Sequence, residues 1–251
     1  ITGRTANELG VLNQQAKELG STTQFTAVQV VELQTELAKL GFTVKDIENS
    51  TPAILDLAAS LEVDLASAAE LAGSVVRSFG LDTLDTQRVV DVMSLSTSAS
   101  ALNFEALRES IKVVAPAARA TNVSIEKTAA LLGVLANNGL KGSVAGNGLS
   151  KTFIELNKKG ITLEEGMEKV KNSTNKLNTA IDLVGVVGAK SFLSLAESGE
   201  QIKQLEKDFD GAEGAAKRMA EVRLDNLTGD TTKLSSAWEG FLLGIEDGDG
   251  I

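Results

Sequence analysis

Cysteine, histidine and tyrosine are all absent from the 251 residues. Without cysteine there are no disulfides, no thiolate zinc sites and no cysteine nucleophile. Without histidine the commonest general base and the commonest metal ligand are gone. Most hydrolase, transferase and metalloenzyme mechanisms fall with them, which leaves a non-catalytic structural or interaction protein as the expectation. Only two prolines occur, and aromatics make up 4%. No secretory leader pattern is visible. The uncharged apolar run Leu183 to Ala189, between Asp182 and Lys190, is far short of the ~20 residues that a membrane-crossing helix needs. No membrane span is therefore expected in this segment. The first residue is Ile1 and the last stretch, Glu246 to Ile251, has no closing element, so the chain reads as a piece of something longer.

What is present is acid and helical spacing. The net charge is −10. Residues 1–160 carry 14 basic and 17 acidic side chains, whereas residues 161–251 carry 10 and 17. Such a surface repels a phosphate backbone, so no direct nucleic-acid binding is expected. Strand-like alternation is scarce, and helix start and stop signals recur at short intervals. Thr51-Pro52 predicts an N-cap and a helix over about 52–60. Asp64 caps a helix running to Phe79, closed by Gly80 in a left-handed conformation. Thr83 caps a third helix, with Val89, Val90, Val92, Met93 and Leu95 on one face. Asn103 caps a fourth, which Pro116 should kink or split. Ser124 caps a fifth, Ile125 to Asn138, closed by Gly139. Thr162 and Glu165 fit a capping box. Leu234, Trp238, Phe241 and Ile245 form an apolar stripe on a last helix. Leu9, Leu12, Ala16 and Leu19 read as the end of an amphipathic helix entering from upstream.

A weak internal echo lies at an offset of 60. Val63, Leu65, Ala69, Leu71, Gly73 and Val75 align with Val123, Ile125, Ala129, Leu131, Gly133 and Leu135. A repeated helix and convergent amphipathic patterning both account for it. With 23 glycines, mostly at helix ends, the chain is no long heptad rod.

The candidate sites each have a plain structural reading. The cluster from Gly139 to Gly148 is glycine-rich like a phosphate loop, but Lys141 is followed by Gly142 rather than Ser or Thr, and no strand precedes it. It reads as a helix end at Gly139, a turn, and a helix whose Gly142 and Gly146 line one face and admit a neighbour closely. Asp247 and Asp249 resemble part of a calcium loop that is not completed. Gly240 and Gly244 make a small-residue pair suited to close helix packing. The acid pairs Glu164/Glu165, Asp208/Asp210 and Asp82/Asp85 sit where acids cap and solvate helix starts and loops. Trp238 is expected in a core. No cofactor or metal site is expected. The site residues singled out are thus turn and packing positions: Gly80, Gly139, Gly142, Gly146 and Trp238.

Several strings resemble the core module of phage tail tape measure proteins. They are Leu37-Ala-Lys-Leu-Gly-Phe42, Asp64-Leu-Ala-Ser-Ala-Ala69, Phe79-Gly-Leu81, Arg88-Val-Val-Asp-Val92 and Val113-Val-Ala-Pro-Ala117. The most specific is an Ala/Leu helix starting at Thr128 that ends in Asn138-Gly-Leu-Lys-Gly-Ser-Val-Ala-Gly146. Gly214-Ala-Ala-Lys-Arg-Met-Ala220, Asp225-Asn-Leu-Thr-Gly229 and Leu234-Ser-Ser-Ala-Trp-Glu-Gly240 resemble the segment that follows that core. The polar stretch Lys158 to Lys176 departs from the pattern. The resemblance implies a structural protein that occupies the lumen of the assembling tail tube, sets tail length and leaves ahead of DNA at infection. Implied partners are tail tube and tail tip proteins, tail assembly chaperones and further copies of the chain in the tail. Implied locations are the virion tail and, during assembly, the host cytoplasm. A helical adaptor unrelated to tails is the alternative. The expected fold is all-α, a compact bundle of short helices with a helical C-terminal extension. Its expected parts are residues 1–20 as the end of an upstream helix, 21–160 as the core module and 161–251 as the extension. The glycine punctuation marks the region as a folded unit attached to the ruler, not its graduated rod.

Overall fold

A computed structural model describes residues 6–225, 234–236 and 238. Among them are twelve α-helices, one 3-10 turn and no strand, so the fold is all-α. The helices are α1 (Ala6–Thr22), α2 (Ala27–Lys39), α3 (Val44–Leu61), α4 (Leu65–Phe79), α5 (Thr86–Ser98) and α6 (Phe104–Ala120). They continue with α7 (Ile125–Asn137), α8 (Gly142–Lys158), α9 (Leu163–Lys171), α10 (Lys176–Glu197), α11 (Gly199–Asp210) and α12 (Ala215–Leu224).

Five helix junctions share one device. Each has a left-handed residue, then an apolar residue whose N–H reaches back five positions, then the residue that precedes the next helix. The left-handed positions are Gly41, Glu62, Asn122, Gly139 and Gly160. The back-bonds run Phe42→Leu37, Val63→Ala58, Val123→Ala118, Leu140→Leu135 and Ile161→Leu156, at 2.8–3.1 Å. This satisfies carbonyls that the helix end would leave unpaired. Four of the five then cap the next helix with a side-chain oxygen: Thr43 to Asp46 N–H, Asp64 to Ser67, Ser124 to Lys127 and Thr162 to Glu165. Lys141 makes no such cap. The echo at offset 60 falls on this device, since Val63 and Val123 hold the same place in it and α4 and α7 start two residues later. A shared junction and amphipathic patterning account for the match.

The chain forms two compact units. The first comprises residues 1–76, 82–91 and 214–251, and the second comprises 77–81 and 92–213. In unit 1, α1 packs on α2 and α3, α2 on α3, and α12 on α3. Its core includes Val30, Leu33, Leu37, Ile47, Ile54, Leu57, Leu71 and Ala216. In unit 2, α8 lies against α6 and α10, α9 against α10, and α7 against α11. Its core includes Met93, Leu107, Ile111, Leu131, Leu135, Leu149, Phe192 and Phe209. These boundaries differ from the expected breaks at 20/21 and 160/161. Leu12 and Ala16 of α1 are buried in unit 1, and α9 and α10 pack into the same unit as α8.

Several helix starts also differ from expectation. Thr51 is not an N-cap, because α3 runs unbroken from Val44 to Leu61 through Pro52. Pro52 deprives the Glu48 carbonyl of its helical donor, and the Gln15 side chain of α1 donates to that carbonyl instead at 2.8 Å. The Thr51 hydroxyl bonds back to Ile47 O at 2.6 Å. Pro116 likewise lies inside α6 without splitting it. The turn after Gly80 is capped by Asp82, which accepts from Leu84 N–H at 2.9 Å, while Thr83 donates to Asp46. The helix starts at Asn103, Ser124 and Thr162 lie where the pattern places them.

One helix bears on the membrane expectation without overturning it. By length and composition α10 is long and apolar enough to cross a membrane. Counting only uncharged runs missed it, because Asp182 and Lys190 interrupt the run without removing its apolar character. The helix is not continuous, however: Gly185 has φ 75° and ψ 168° and breaks the backbone in its middle. Less than half of its apolar window is buried in the fold.

Candidate functional site

The glycine cluster builds the centre of unit 2. Gly139 has φ +79° and follows α7. Its N–H bonds Ala136 O while Leu140 N–H bonds Leu135 O, a paired helix-end closure. A Cβ at Gly139 would meet nothing within 4 Å, so the glycine is needed there for its backbone conformation alone. Gly142 and Gly146 both face α6. A Cβ on Gly142 would lie 2.5 Å from a Glu109 carboxylate oxygen, and one on Gly146 would lie 2.6 Å from the Ser110 carbonyl oxygen. Ser110 locks the contact, its hydroxyl proton shared between Ala106 O at 2.6 Å and Gly142 O at 2.8 Å.

The opposite side of α8 faces α10, where a Cβ on Gly148 would overlap Ser191. Gly166 of α9 admits the Phe192 ring in the same way. The small-residue positions of α8 thus let two helices approach its backbone, with Phe192 fully buried beside them. Gly148 and Gly166 were not singled out from the sequence. Gly148 stood in the quoted cluster without a role, and nothing local marked Gly166. Gly80, with φ +68°, ends α4, and a Cβ there would strike the Arg119 guanidinium.

Trp238 does not sit in a core. It is 61% exposed and Leu234 is 71% exposed. The stripe expectation required Phe241 and Ile245 as well, and these, like Gly240, Gly244, Asp247 and Asp249, lie outside the described residues. The adjacent Ser236 is buried and donates to Gln24 O at 2.9 Å.

The acid pairs are engaged structurally. Glu165 accepts from Thr162 N–H in a capping box, and that bond lowers its carboxyl below the ordinary range. Glu164 pairs with Lys127. Asp85 pairs with Arg88, and Asp208 accepts from Gln204. Among the described residues, no three acidic side chains group in a way that could hold a metal ion.

Unit 1 contains the acids that the sequence reading passed over. Asp91 on α5 is 1% exposed. One carboxylate oxygen accepts from Gly214 N–H at 2.8 Å, and the other accepts from Ala216 N–H at 2.9 Å and from Gln87 at 3.2 Å. Asp56 on α3 is half-buried beside it. Burial pushes the Asp56 carboxyl up to about 6, Lys217 pulls it down, and Asp91 and Glu221 add to the rise. Asp56 also lines a cavity of about 560 Å3 with Phe25, Leu55, Lys217 and Leu224.

Exposed apolar side chains occur in both units: Val28 and Val31 on α2, Val144 on α8, and Leu177, Val186 and Val187 on α10. Val186 and Val187 directly follow the Gly185 break.

A family model described as phage-related minor tail protein matches residues 13–239. The chain belongs to that family. It is 30% identical to a tape measure protein of Pneumococcus phage Dp-1 over 98% of its own length and 24% of that protein. It is 27% identical to a probable tape measure protein of Escherichia phage P2 over 92% of its length and 32% of that protein. The chain therefore spans about a quarter to a third of the length of these curated relatives. No solved structure matches it.

Proposed function

We propose that this chain is a folded helical module of a tail tape measure protein, acting by packing and by contacts with other tail proteins rather than by catalysis. The observation that carries this is the similarity to two phage tape measure proteins over nearly the whole chain. The fold supports it, because the glycine cluster closes a helical core instead of cradling a ligand. An unrelated helical adaptor is not favoured, since the family match runs through both units.

In this reading the module resides in the lumen of the virion tail and passes through the host cytoplasm during assembly. Its partners are tail tube and tail tip proteins, tail assembly chaperones and further copies of itself. Exposed valines such as Val28, Val144 and Val186 are the contact positions. The acidic surface keeps it from holding DNA that must follow through the same tube. The module is attached to the measuring part and does not itself graduate length. A phage encoding the chain tests this through an in-frame deletion of Pro52–Phe79, with electron microscopy of the particles. Loss of tail assembly or infectivity is expected. Viable phages with proportionally shorter tails would overturn the reading.

A further inference from the structure

α12 returns to unit 1 after an excursion of more than a hundred residues through unit 2 and lies along α3 there, with only small side chains fully buried. Its fully buried side chains are Ala215, Ala216 and Ala220, each contributing a single methyl, while the larger Met219 and Leu224 are only partly buried. Its far end is tied by an Arg223–Glu62 ion pair on the surface, a kind of contact that contributes little when solvated. A cavity of about 560 Å3, lined by Ala59, Leu55 and Leu224 among others, lies where the second half of α12 meets α3 and the α1–α2 turn. Val222 in that half is largely exposed.

The first turn is different. Gly214 is left-handed and supplies no side-chain cap. The cap comes from Asp91, whose two oxygens take the Gly214 and Ala216 amides. Both are hydrogen bonds to a carboxylate, the Ala216 bond buried and the Gly214 bond part-buried, and such contacts are strong ones for a helix start. The carboxylate also complements the positive end of the helix dipole.

We infer that α12 is a separable strap on unit 1, and that Asp91 is the clasp that holds it closed. The apolar surface under α12 is too small to retain it once the clasp is lost, while α1, α2 and α3 keep their shared core. The strap opens as a local unit, without unfolding the helices it lies on.

Native-state hydrogen exchange on the full chain tests this with Asp91→Asn. The asparagine keeps the shape but must turn its NH2 toward one of the two amides, so a donor meets a donor. Exchange at the amides of α12 should accelerate at least tenfold. Amides of α2, α3, α7 and α8 should stay within about twofold of the parent chain. Unchanged protection in α12 would show that Asp91 is not the clasp. Acceleration in α2 and α3 equal to that in α12 would show that α12 is integral to the unit. Gly214→Ala is the milder companion, for use if Asp91→Asn does not fold. It leaves both amides and the carboxylate in place but strains a left-handed backbone. A smaller acceleration confined to α12 is expected, and an equal effect on α3 would again overturn the strap.

Discussion

Both units bring helices together on small residues, yet they use them in opposite ways. In unit 2, Gly146 and Gly148 remove side chains from two faces of α8, so that the Ser110 backbone and Ser191 touch its surface. Contact is made by many atoms at short range, and the Ser110 hydroxyl adds to it. In unit 1, Ala215, Ala216 and Ala220 present methyl groups to their neighbours, and attachment depends on one buried carboxylate. Close backbone packing resists local opening because any opening loses dispersion along the whole interface. A clasp concentrates the attachment at one point, where one substitution or one partner can undo it.

The largest effect is expected where the close approach is greatest. Gly146→Ala should destabilise unit 2 by about 2–3 kcal/mol, since the added methyl meets a carbonyl and a Cα rather than a flexible side chain. Thermal or urea unfolding followed by circular dichroism reads this directly. A neutral outcome would mean that α6 and α8 are further apart than described, and the contrast between the units would weaken.

Gly139→Val should cost about 1–2 kcal/mol through backbone strain alone, because nothing lies near the site. Leu140→Val beside it should cost less, and equal melting temperatures would show that the close of α7 does not need a left-handed residue.

Asp56→Asn sharpens the view of unit 1 and acts in the other direction. The Asp56 carboxyl stands near 6 in the folded chain, against 3.8 for the free group. A raised value means that protonation favours the fold: the favourable contribution is complete below pH 4 and is lost as pH rises through 6. At pH 7 its charge therefore works against folding, and the variant should be more stable by about 1 kcal/mol once partial solvent screening is allowed for. The difference between the two proteins should vanish by pH 4. A variant less stable than its parent at pH 7 would show that attraction to Lys217 outweighs burial. The smallest effect is expected at Gly10, mid-helix in α1 with nothing within 4 Å. Gly10→Ala should add about 0.5–1 kcal/mol of stability by propensity alone.

Unit 2 could be read from the chain more fully than unit 1, for physical reasons. Its helix boundaries are set by local chemistry: Asn103, Ser124 and Thr162 each cap within three residues, and Gly139 closes its own helix. Such signals lie within one turn of the residue they affect. In unit 1 the deciding contacts join residues far apart in sequence. Gln15 supplies the donor that Pro52 removes, which let α3 run through a proline that locally marks a start. Asp91 caps a helix 123 residues away, so no window around Asp91 or Gly214 shows the bond. Trp238 failed for a related reason, since spacing shows that residues share a face but not that anything covers it. The resemblance to the family is read most specifically from the string Thr128 to Gly146, the stretch where local chemistry and packing coincide, while the family match itself runs over residues 13–239.

The central claim is that the helices of the two units are held by different means and so differ in local stability. Native-state hydrogen exchange on the unaltered chain, across a series of low urea concentrations, measures this most directly. The account predicts that α8 amides exchange only through the cooperative opening of their unit. It predicts that α12 amides exchange through a local opening that costs several kcal/mol less and is nearly insensitive to urea. Equal protection and equal urea dependence in α8 and α12 would contradict it.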